Sequence, residues 1–144
     1  MRMIGSWQLW AIGSAIFAAL TAVFGKIGVA DIDSNLATLI RTVFIVGILT
    51  LIVMFTRSWQ PLNSIPMRTW FFLLLSGLAT GASWLCYYHA LKLGPASGVA
   101  PLDKLSVVLV AVLGATVLGE VLSWRNWIGV AMMAAGAILV AIKT

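Results

Sequence analysis

An all-α integral membrane protein built as a five-transmembrane-helix bundle is the fold this sequence predicts, and three observations carry that prediction. Of 144 residues, 62% are hydrophobic and 9% charged, whereas a soluble domain carries about 25% charge. Water is therefore not the solvent for most of these side chains. Apolar residues also recur on every side of most segments, the pattern of helices surrounded by lipid and by one another. The apolar runs, finally, divide at about the 20-residue length that a helix needs to cross the hydrocarbon core.

The elements follow in order. The first helix is expected at 7–30. Its apolar run, Met3 to Gly25 behind Arg2, exceeds the roughly 7–15 residues of a signal-peptide core and reads as a retained helix. "DIDSN" at Asp31 to Asn35 leads into the second helix at 35–55, and the Pro-bearing "RSWQPLNSIPMR" at Arg57 to Arg68 into the third at 70–91. "KLGP" at Lys92 to Pro95 precedes the fourth helix at 96–118, and "GEVLSWRN" at Gly119 to Asn126 leads into the fifth at 124–142. No connection is large enough to hold a second domain, so 1–144 reads as a single transmembrane domain.

An odd number of spans places the termini on opposite sides. The Met1 side then carries Arg2, Arg57, Arg68 and Arg125, and the other side Lys92 and Lys143. That bias favours a cytoplasmic amino terminus, but Lys26 and Arg41 near the opposite surface cancel it. Orientation is weakly encoded, as in a chain of dual topology that inserts both ways up. Trp7, Trp10, Trp59, Trp70, Trp124 and Trp127 fall on the Met1 side and read as an interfacial belt.

The functional signal is charge inside the membrane. The second span is uncharged only from Thr42 to Thr56 and the fourth only from Leu105 to Gly119. Both fall short of about 20 residues and draw Arg41, Asp103 and Lys104 into the bilayer. Lys26 lies about four residues inside the end of the first span, roughly 6 Å deep. Trp84, Tyr87, Tyr88 and His89 of the third span belong to the same expected polar level, and these eight residues are the candidate substrate or coupling-ion site.

Helical spacing sets Lys26 over Ala22, Ala19 and Ala15, Lys104 over Ala111 and Ala115, and Tyr88 over Gly81 and Gly77. Such small-residue faces pack closely in membranes, so these groups are expected to point into the bundle. Asp103 and Lys104 are expected to diverge by about 100° and to find partners on other helices. Asp103 would meet Arg41 or Lys26, while Lys104 faces a cavity. Pro101 cannot donate to Ser97 and loosens the backbone there. Intramembrane charge costs at least about 2.5–3.5 kcal/mol per residue, and three cations beside one acid leave a surplus suited to an anionic ligand group. Asp103 would hold the basic cluster or exchange a proton, for which the imidazole of His89 is also suited.

Other classes are disfavoured. The basic residues are scattered without a stripe, so the net charge of +5 does not point to nucleic acid. Cys86 stands alone, which leaves no disulfide framework within the chain and no Cys-based metal site; it reads as a small buried hydrophobe. One His, one Cys and no paired carboxylates offer neither a nucleophile–base pair nor a metal centre. No enzyme activity and no cofactor are expected.

With these residues in hand, the chain resembles a single EamA-type repeat of the drug/metabolite transporter superfamily. The densest match is "YYHALKLGPASGVAPLDKLSVVLVAVLGATVLGE" at Tyr87 to Glu120, followed by "GVAMMAAGAILVA" at Gly129 to Ala141. "FGKIG" at Phe24 to Gly28 and "LIRT" at Leu39 to Thr42 fit the first two helices of the family. The resemblance implies one half of an inverted-repeat ten-helix transporter architecture, completed by a second copy in an antiparallel homodimer. It implies export of a small-molecule metabolite by alternating access in a prokaryotic cytoplasmic (inner) membrane. The chain departs from the four-helix small multidrug-resistance branch, whose first helix carries a glutamate where this one has Lys26. The alternative class is an accessory or assembly membrane subunit without transport activity of its own.

Overall fold

A computed structural model describes residues 6–142; Arg2 and Lys143, counted in the topology above, lie outside the described residues. The described chain is helical: α1 Ser6–Gly28, α2 Ser34–Phe55, α3 Met67–Leu93, α4 Ala96–Asp103, α5 Ser106–Thr116 and α6 Trp124–Ile142, with a 3₁₀ turn at Leu62–Ser64. With α4 and α5 taken as one span, Ala96–Thr116, the five expected spans are all present as helix long and apolar enough to cross a membrane.

The helix ends follow local chemistry. The Asp33 side chain accepts from the Asn35 and Leu36 N–H groups and so caps α2. At the far end of α2, Arg57 N–H donates to the Met54 carbonyl and Ser58 N–H to the Val53 carbonyl. Arg57 takes φ 52° to close this turn, in the left-handed region where glycine is usual. α3 starts three residues earlier than expected because the Pro66 carbonyl already accepts from Thr69 and Trp70 N–H.

The fourth span differs from the single helix expected. Lys104 N–H donates to Pro101 and Leu105 N–H to Leu102, each three residues back, and Val107 and Val108 repeat the pattern. These tighter bonds interrupt the helix at Lys104–Leu105. Pro101, lying inside α4, supplies no N–H to the Ser97 carbonyl, and the interruption follows within one turn.

The chain forms two compact units, residues 28–92 and residues 1–27 with 93–144. In the first, Ser34 and Arg41 on α2 meet His89, Trp84 and Tyr88 on α3; Ala37 and Thr38 share the α2 stripe, and Leu91 the α3 stripe of Trp84 and Tyr88, at helical spacing. Lys92 Nζ donates to the Ile32 carbonyl, Ser34 Oγ lies 3.4 Å from His89 Nδ1, and Arg41 lies over Trp84. The rising and falling numbers define an antiparallel register. Ser34, Thr38, Val29, Tyr88 and Leu91 are buried. Cys86 is exposed, contrary to the buried position expected, because it lies off the α3 stripe that carries Trp84, Tyr88 and Leu91.

In the second unit α6 packs on α4 and α5. Gly98 on α4, Gly114 on α5 and Ala137 on α6 are buried, the small residues that let membrane helices approach closely. Glu120 folds back at the end of α5: its N–H donates to the Gly114 carbonyl. A Cβ on Gly114 would lie 2.8 Å from Glu120 Oε2, so glycine leaves room for that carboxylate.

Candidate functional site: a stacked arginine

Arg41 sits in the second turn of α2, on the stripe that faces α3. Its Cζ lies 3.4 Å from the centre of the Trp84 ring and 5.8 Å from that of Tyr88, within the roughly 6 Å range of a cation–π contact. Trp84 meets Tyr87 edge-on at 5.6 Å and Tyr88 at 5.7 Å, so three rings form one aromatic wall. Tyr88 is 5% exposed. Stacking uses the face of the guanidinium and leaves its in-plane N–H donors free to point outward. Among the described residues of this unit no carboxylate or hydrogen-bond acceptor meets them. Arg41 is therefore a cation held against Trp84 and Tyr88, with no carboxylate beside it among the described residues of this unit.

His89 continues the α3 face one turn on, with Ser34 Oγ beside its Nδ1. The sequence reading missed Ser34; the available signal was its place directly after the capping Asp33, where α2 must begin. The backbone N–H groups of Asn35 and Leu36 hold the Asp33 carboxyl below its usual 3.8, and Lys92 and His89 add to the effect.

In the other unit, Lys26 is half-buried near the end of α1 and its Nζ donates to the Gly94 carbonyl at 2.9 Å. That acceptor, a backbone oxygen, carries no side-chain signature. Asp103 and Lys104 reverse the expectation that they diverge: Lys104 Nζ donates to Asp103 Oδ2 at 3.1 Å. Lys104, the C-terminal cap of α4, keeps helical φ and ψ of −70° and −6°, so it is the long lysine side chain, bending back across the angle between neighbours, that closes the contact. The Lys104 side chain is 54% exposed.

The model of the EamA-like transporter family matches residues 5–142. The chain belongs to this family. A protein of a Sinorhizobium species named as an uncharacterized transporter in the cobO 3′ region is 62% identical over 140 residues, which cover 97% of this chain and 99% of that protein. No solved structure matches. The EamA-like assignment and the five apolar spans make the chain an integral membrane protein and a membrane transporter. In these terms the Arg41 cluster is a basic centre on a membrane-spanning helix of an EamA-like transporter, and intramembrane ionisable groups mark substrate or ion pathways.

Proposed function

We propose that this EamA-like chain exports a small metabolite carrying an anionic group, and that two copies associate antiparallel to provide alternating access. The observation that carries the reading is Arg41: stacked at 3.4 Å on Trp84, with no acidic partner among the described residues of its unit. A charge in that setting is costly without a counterpart. A carboxylate or phosphate on the substrate supplies it, taking the in-plane donors in a two-pronged hydrogen bond. Trp84, Tyr87 and Tyr88 hold the guanidinium plane and offer aromatic surface to the rest of the molecule. His89 lies outside this first contact, and Asp103 and Lys104 serve the assembly.

The dimer reading rests on symmetry. One five-helix repeat supplies half of the two-fold arrangement that inverted-repeat transporters use, and the charge bias of the connections does not fix one orientation. Family membership supports reading the chain as a non-enzymatic exporter of a prokaryotic inner membrane.

The test is flux by the purified protein alone in liposomes, against a panel of small carboxylates and phosphates, with loading on either side to give direction. Saturable flux that Arg41→Gln removes supports the reading. Flux insensitive to Arg41, or flux of cations in preference to anions, overturns the anion assignment. Absence of flux from a folded, reconstituted protein leaves the accessory-subunit reading in its place.

A further inference from the structure

The Asp103–Lys104 pair has an unusual setting. It lies within the span Ala96–Thr116, roughly 4 Å from the middle of that span at about 1.5 Å per residue. Yet the side chains remain 35% and 54% exposed, on a span whose Leu102, Leu109, Val110 and Leu113 are exposed as well. Apolar side chains can face lipid; an ion pair at this depth needs polar company. A single intrachain bond uses one of three ammonium donors and one of two carboxylate oxygens. The pair is also a short dipole whose ends differ in sign. Such a dipole is complementary to a copy of itself turned through a two-fold axis, because an isologous contact sets residue i on j and j on i.

We infer that Asp103 and Lys104 join the same two residues of a second copy in a closed ring of four alternating charges at the heart of a homodimer interface. Asp103 of each copy accepts from Lys104 of the other, and the exposed leucines and valine of the span seal the ring from lipid. The small offset from mid-span lets side chains from two antiparallel copies reach one another. This inference rests on the dimer reading above and adds to it the residues that each copy contributes. It also gives a physical reason for adjacent opposite charges near the middle of a membrane span.

Charge reversal tests it. Asp103→Lys and Lys104→Asp, expressed singly in differently tagged copies, each place like charges across the axis and should reduce self-capture in membranes by at least about tenfold. Expressed together, the two variants should prefer each other over themselves by a similar factor, because the mixed dimer restores two positive and two negative groups. Mixed capture no better than self-capture, with the wild type still dimeric, overturns the ring and leaves the dimer standing. A wild type that counts as single copies in bilayers overturns the dimer and the ring together. A second measurement does not depend on reversed charges being tolerated. Lys104→Cys in a Cys86→Ser background should be joined across copies by a short thiol cross-linker, whereas a dimer that resists this joining overturns the ring.

Discussion

Arg41 and Lys104 are both cations on membrane-spanning helices, and the chain disposes of their charge in opposite ways. Arg41 rests on aromatic faces offered by another helix, 3.4 Å from Trp84, and among the described residues of its unit no acceptor takes its hydrogen-bond donors. Lys104 is neutralised by its own neighbour, Asp103, at 3.1 Å. A π face lowers the cost of a buried guanidinium without discharging it, while a carboxylate discharges it. The first arrangement suits a group that must receive an anion, and the second a group that must hold two surfaces together. Charge counting along the sequence weights the two alike; their partners separate them.

The largest expected effect divides the two cations outright. Arg41→Gln should reduce flux of an anionic substrate by roughly 100-fold or more, the scale of losing one partner of a buried charge-assisted hydrogen bond. The thermal stability of the ligand-free protein should hold or rise, since an intramembrane charge is removed. Lys104→Gln should do the reverse, leaving Asp103 unpaired: stability and dimer content fall, while ligand-induced stabilisation per folded protein is retained. Thermal melts with and without substrate read both arms. If the two variants behave alike, the comparison fails.

Trp84→Ala sharpens the Arg41 side. Loss of the stacked face should weaken substrate binding by about tenfold, in keeping with a desolvated cation–π contact of up to about 2 kcal/mol. Trp84→Phe should recover part of the loss, because a smaller ring still carries a negative face. A Trp84→Leu variant that matches the wild type would mean the indole acts only as packing.

The sequence revealed the spans and the residue types of the site, but not how those residues pair. Five apolar runs of bilayer length can be counted from composition, and the residues at risk inside them follow from where the charges fall. The Arg41–Trp84 stack depends on the antiparallel register of α2 and α3, which aligns Ser34 with His89 and Arg41 with Trp84. Nothing local to either helix fixes that register. The Asp103–Lys104 bond was hidden for a different reason. Pro101 was visible as a loosening residue, yet the rerouted bonds fall downstream of it at Lys104 and Leu105, and helical angles take no account of a lysine side chain long enough to reach back to its own neighbour.

Pro101→Ala probes this second point and should have a smaller effect on flux, a few-fold loss. An N–H at position 101 can donate to the Ser97 carbonyl, so α4 should regularise and gain stability, by at most about 3 kcal/mol. Regular α geometry in place of the 3₁₀ step would rotate Lys104 relative to the rest of its interface, and contact between copies should weaken. A melting temperature that rises while dimer capture falls is the expected signature. Unchanged capture would mean that the pair does not need the interruption.

The smallest effect concerns the cap that starts the helix carrying Arg41. Asp33 accepts from Asn35 and Leu36 N–H, and its folded carboxyl lies below 3.8 for that reason first, with Lys92 and His89 helping. A carboxylate whose folded value is depressed adds stability that is present above the unfolded value and lost as pH falls through the folded one. Between pH 5 and 8 the contribution should therefore be constant, and Asp33→Ala should melt slightly below the wild type throughout that range. Below pH 3.8 the gap should close as the wild-type carboxyl takes up its proton. Asp33→Asn separates capping from charge, because an asparagine caps almost as well. It should keep most of the wild-type stability at neutral pH and lose the acid-side dependence, whereas a pH-independent gap between Asp33→Ala and the wild type would show that the carboxylate's charge contributes nothing at this helix start.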